Sequence, residues 1–109
     1  DSYLQAAAQD PDKYGIKANL SVAIVLGQQK EYDKAAKVLE MVIKEHSDYP
    51  DLYLVYKILG KVRTDQKQPA AAADAFDQYL RIVPADKLKD GDRTELEKQI
   101  AALRKQAGN

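Results

Sequence analysis

The sequence is 109 residues long and holds 17 Lys and Arg against 17 Asp and Glu, with no Cys and no Trp. Balanced charge speaks against a nucleic-acid arm or a strongly basic membrane-surface domain, and the lack of Cys excludes a disulfide framework and thiolate chemistry. No apolar run approaches the roughly 20 residues of a membrane span, no signal-peptide pattern is recognisable, and the length predicts one domain or part of a longer array. Because the chain opens on Asp1 and not on Met, a processed protein or a piece of a longer one is expected.

Ala and Leu are abundant and Gly is sparse, so helices are expected throughout. Residues 2–9 read as a first short helix. Asp10-Pro11 then opens a long helix over 11–29, with Asp10 as its cap. Within it Ile16, Leu20, Ala23, Ile24 and Gly27 recur at helical spacing, while Val22, Val25 and Leu26 add apolar surface off that stripe. A helix that is apolar nearly all round is buried by neighbours or offers a sticky face. Gly27 is expected near its end. Asn19-Leu20-Ser21 matches a glycosylation acceptor, but its place inside an apolar helix argues against modification. The spacing predicts further helices over 32–46, 50–66 and 69–82, the last opened by Pro69, whose missing N–H would be unpaired in a first turn anyway. A polar loop is expected over 83–91, with Pro84 barring continuation of the preceding helix. The final helix is expected over 92–106, with Asp92 and Glu95 as a capping box. Leu96, Ile100, Leu103 and Ala107 form its one apolar stripe, and Arg104 and Lys105 suit its negative C-terminal end.

The stretch from Tyr53 to Pro84 carries a denser pattern: Tyr56-x2-Leu59-Gly60-x2-Arg63, then Ala72-x3-Phe76, then Pro84. Small Gly60 and Ala72 let two helix backbones approach, and Tyr56, Leu59 and Phe76 fill the space beside them. Gly60 inside a helix costs about 1 kcal/mol against Ala, so close packing is the expected compensation. This pattern resembles the tetratricopeptide repeat, a helix–turn–helix unit of 34-residue period with a Trp-x2-Leu-Gly-x2-Tyr, Ala-x3-Phe, Pro signature. Tyr56 stands where that family has Trp, and Arg63 where it has Tyr.

The resemblance implies a single all-α domain over 1–109, an antiparallel helix–turn–helix array of about six helices. Residues 50–84 are the clear repeat. Residues 12–49 are a degenerate one, with Ala35-x3-Leu39 in place of Ala72-x3-Phe76. Ala35 and Ala72 stand 37 positions apart, and the extra residues are assigned to 45–49. The Leu-Gly pair of this repeat is either Leu20-Ser21 or Val22-Ala23. Tyr3, Ala6 and Pro11 reproduce the offsets of Phe76, Tyr79 and Pro84, so residues 2–11 read as the second half of an earlier repeat with a cut edge. Residues 92–107 read as the C-terminal capping helix, with one face packed and the rest in water.

Signals for chemistry are sparse. His46 is the single histidine, and at a helix end it serves unpaired carbonyls and the dipole better than catalysis. No nucleophile–base set, Gly-rich phosphate loop or zinc spacing is present. Asp86, Asp90, Gly91 and Glu97 fall in the register of an EF-hand loop, but Leu88 occupies a ligand position and supplies no oxygen. A solvated acidic turn before a capped helix is the expected state. Of the seven tyrosines, Tyr3, Tyr32, Tyr56 and Tyr79 fall at positions that pack between helices, whereas Tyr14, Tyr49 and Tyr53 lie near helix starts.

In the tetratricopeptide family the first helix of each repeat lines a concave groove. Its inward positions carry over to Leu54, Lys57, Lys61, Thr64 and Asp65, with Leu20 and Ile24 adding apolar surface from the preceding helix. Helical spacing by itself puts Leu54, Lys57 and Lys61 on one face, away from the Tyr56–Leu59–Arg63 seam. The family's carboxylate clamp, a Lys/Asn/Arg set spread over three repeats, is not found in this chain. The resemblance therefore implies a non-catalytic protein–protein interaction module that holds a partner's peptide or helix, and apolar patches with two lysines suit an acidic–apolar one. A self-assembling scaffold, with chains pairing through the N-terminal edge around Tyr3, Leu4 and Ala6, is the alternative. No enzyme activity, cofactor, metal, nucleic acid or membrane insertion is expected.

Overall fold

The computed structural model describes residues 13–108. Five α-helices follow one another: α1 Lys13–Gln28, α2 Tyr32–Glu45, α3 Leu52–Asp65, α4 Pro69–Ile82 and, after a 3-10 turn at Ala85–Lys87, α5 Asp90–Gln106. About six helices were expected. The additional one, over 2–9, lies outside the described residues, as do the Asp10 cap and the edge at Tyr3, Leu4 and Ala6. Each helix packs on the next, and α1 also touches α3 at their closest points. Connections of three residues, 29–31 and 66–68, leave α1–α2 and α3–α4 no arrangement but antiparallel hairpins.

The two hairpin turns are built alike without glycine. In the first, Lys30 takes φ 65°, the Lys30 N–H donates to Gly27 O at 3.1 Å and the Glu31 N–H to Leu26 O at 2.8 Å. In the second, Lys67 takes φ 62°, the Lys67 N–H donates to Thr64 O at 3.0 Å and the Gln68 N–H to Arg63 O at 3.0 Å. Both are Schellman closures, which satisfy the last carbonyls of α1 and α3. Every equivalent residue is 37 positions from its counterpart. At that offset Val22-Ala23 corresponds to Leu59-Gly60.

Helix starts depart from expectation in the last element. Its N-cap is Lys89, without a side-chain cap bond, and Asp92 lies inside the first turn with Asp90. The capping box with Glu95 is therefore replaced by two carboxylates facing the positive end of the helix dipole. The third helix starts at Leu52, two residues after Pro50, because the Leu52 N–H closes a turn onto Tyr49 O at 3.1 Å. Pro69 is the first residue of α4, as its sequence predicts.

The core passes from helix to helix. Leu39 and Val42 of α2, fully buried, meet Ile16 and Ala23 of α1 and Val55, Leu59 and Val62 of α3. Phe76, Ala72 and Ala73 of α4 meet Ile100 and Leu103 of α5. Tyr53, Tyr79 and Val83 form a third cluster against which Tyr56, Leu88 and Leu96 pack. Val83 and Leu88 thus belong to the core side of a segment expected to be a polar loop. Ala107, the last member of the predicted stripe, is exposed.

Arg63 ties α3 to the helix before it. Its guanidinium donates to Glu40 Oε2 of α2 at 2.7 Å and to Gln66 Oε1 at 3.0 Å, while Gln66 Nε2 donates to Asp33 Oδ1 at 2.6 Å. Farther along the array, Arg104 of α5 reaches Asp74 at 3.2 Å and Asp77 at 3.5 Å on α4. Asp77 stands 37 positions after Glu40, so the same place on two successive second helices offers a carboxylate to the helix that follows.

Candidate functional site

Because α2 wedges behind them, α1 and α3 touch only at their closest points and leave a groove between their outer faces. The groove measures ≈ 650 Å³ and is lined by Leu20, Ala23, Ile24, Gly27 and Gln28 from α1 and by Leu54, Lys57, Ile58, Lys61, Val62 and Asp65 from α3. Six of the seven residues named from the sequence, Leu20, Ile24, Leu54, Lys57, Lys61 and Asp65, meet there. Thr64 does not line it. Its hydroxyl donates to its own helix at Gly60 O, 2.8 Å away, which turns the side chain back along α3.

Five lining residues were not assigned to the groove from the sequence: Ala23, Gly27, Gln28, Ile58 and Val62. Gly27 was expected on the apolar stripe of α1 and near the helix end. A Cβ there would meet nothing within 4 Å, so the glycine leaves the groove open at that point. Ile58 was legible in principle, since it follows Leu54 by one turn and continues the same face.

The groove's apolar lining grades from buried Ala23 and Val62 to exposed Ile24 and Leu54. Ile24 is 45% and Leu54 38% exposed. Lys57 and Lys61 are exposed at the α3 wall, and the Lys57 ammonium stands 5.9 Å from the centroid of the Tyr79 ring. Beyond Lys57, a second recess of ≈ 540 Å³ opens between α3 and α5, with Tyr79, Leu88, Asp92 and Leu96 among its walls. Lys57 therefore belongs to both hollows. Burial raises the Tyr79 phenol above its ordinary value of 10.0, with Tyr53 and Asp92 adding to the shift and Arg93 opposing it. Tyr49 is raised likewise, by burial first and then by Asp51 and Tyr53.

The other sequence candidates take plainer places. His46 is the C-cap of α2 and its N–H donates to Val42 O. Asn19 is buried inside α1, where no glycan could be attached. The stretch from Asp86 to Glu97 folds as a 3-10 turn and the start of α5, not as a loop around an ion. Among the described residues, no group of three or more His, Asp or Glu gathers as a metal would require, and no helix is long and apolar enough to cross a membrane.

The class of protein that this geometry defines is an all-helical array of packed hairpins with an open groove on one face. Comparison with protein families, with curated proteins and with solved structures finds no match for the chain.

Proposed function

We propose that the chain is a non-catalytic interaction module of tetratricopeptide type, which holds a peptide or helix of a partner protein in the groove between α1 and α3. The observation that carries this reading is the convergence of Leu20 and Ile24 with Leu54, Lys57 and Lys61 along one open groove. Two further features support it. Gly60 and Phe76, two positions of the repeat signature, are in contact, and the hairpin recurs with the same turn, at 37 residues where the family has 34. Apolar side chains kept at the surface beside fixed charges are the usual make-up of a peptide-binding cleft.

The test is to select binders from a displayed random-peptide library and map them by amide chemical-shift changes on the labelled protein. Changes centred on Leu20, Ile24, Leu54 and Ile58 are expected. Changes confined to the exposed faces of α2 and α4, or no selectable binder, would overturn the reading.

A further inference from the structure

The charges of the groove are arranged in an order that specifies its occupant. All of them are on α3: Lys57, then Lys61 one turn on, then Asp65 another turn on. The positions of α1 that correspond at the 37-residue offset are Leu20, Ile24 and Gln28, which carry none. One wall is therefore apolar or neutral, and the other runs positive, positive, negative.

Lys57 and Lys61 are two of several lysines that form no ion pair among the described residues, and Lys57 stands over the Tyr79 ring. Arg63, Arg81 and Arg104 each have a carboxylate within 4.0 Å on their own or a neighbouring helix. Among the described residues, neither Lys57 nor Lys61 has one. Asp65 is one turn from Lys61, yet the two do not pair; Lys before Asp is the poorer order for such a pair on a helix. Two like charges one turn apart slightly destabilise their own helix, so an external anion is what would turn the pair into an attraction.

Resting on the groove reading above, we infer that the occupant is an acidic–apolar segment bearing two carboxylates about 6 Å apart, the separation of residues i and i+4 on a helix or i and i+2 on a strand. These carboxylates face Lys57 and Lys61 while apolar neighbours cover Leu20, Ile24 and Leu54. The end of the segment beside Asp65 carries no acid, which fixes its direction in the groove. From Leu54 to Asp65, α3 advances about 16 Å, room for three turns of a partner helix.

The experiment sequences the peptides enriched from a random library of about 12 residues, long enough to fill the groove as a helix. It then measures their affinity for wild type and for Lys57→Glu/Lys61→Glu. Enrichment of Asp or Glu at spacing four or two, beside Leu, Ile or Phe, is expected. The double variant should bind at least about tenfold more weakly at low salt, with the gap narrowing near 0.5 M salt as charge is screened. Both lysines are exposed, so circular dichroism should report an unchanged fold; should it change, Lys57→Gln/Lys61→Gln replaces the variant. Groove-bound peptides that are basic or uncharged, or acidic ones that bind the variant equally well, overturn the inference while leaving the groove reading intact. No enrichment, or a mass that rises with concentration because copies fill one another's grooves, overturns both.

Discussion

A Cβ added to Gly60 would stand 2.6 Å from Cε1 of Phe76. Real side chains do not approach so closely, and the Phe76 ring is itself buried and held between α3 and α5. The glycine is therefore the gap into which the ring of α4 fits. Gly60→Ala gains about 1 kcal/mol of helix propensity, but overpacking opposes it, and Gly60→Leu should lose about 1–3 kcal/mol in urea unfolding. Shrinking the ring in Gly60→Ala/Phe76→Leu should show strong non-additivity, since the two changes share one space. Independent effects would mean that the helices do not meet there.

Lys30 and Lys67 hold a left-handed conformation that costs a residue with a Cβ roughly 1–2 kcal/mol. Lys30→Gly and Lys67→Gly should each raise stability by up to about 1 kcal/mol, because Gly is the preferred residue at this place in a Schellman closure. The effects should add, as the two turns close separate hairpins. Thermal unfolding of both single variants and the double would show it, and a loss on either would contradict the turn geometry.

Alkaline stability should depend on buried Tyr79 and half-buried Tyr49. With the folded-state pKa of Tyr79 and Tyr49 raised, the native chain holds their protons to higher pH than the unfolded chain does. Their contribution is fully present below the ordinary value of 10.0 and is lost as pH climbs through the raised values. Unfolding followed from pH 8 upward should show stability falling above about pH 10. The fall should be shallower in Tyr79→Phe and in Tyr49→Phe, and an identical slope in all three proteins would disprove the burial of these phenols.

Much of the helical layout was legible from residues whose roles are local. Pro69 suits a first helical turn because its missing N–H would be unpaired there anyway, and the 3.6-residue recurrence of Leu96, Ile100 and Leu103 gives the inner face of α5 without knowledge of its neighbours. Close packing at Gly60 was legible because a glycine inside a helix needs a reason, but its neighbour was expected around Ala72 and is the Phe76 ring. What escaped was set by partners remote in sequence or by backbone choices that several residues allow. Lys30 and Lys67 do not look like turn residues, and only the closure onto Leu26 and Arg63 makes them so. Asp92 fits a cap in the sequence, yet the helix starts two residues earlier, at Asp90, just after Leu88 has packed against the cluster of Tyr53, Tyr79 and Val83. Arg63 departs from the repeat signature, and its reason, Glu40, lies 23 positions earlier on another helix. The groove was legible on α3, where a charged stripe contrasts with the buried seam. It was less so on α1, whose all-round apolarity hides which face is open.

The groove itself is shaped from behind. Its two walls hardly touch each other, and the distance between them is kept by α2, whose Leu39 and Val42 fill the space between α1 and α3. The mouth of the groove is thus a gauge of how thick that wedge is. A methyl group removed from the wedge would let the walls lean together, and the jaws of the groove would close on a partner that the altered residue never meets.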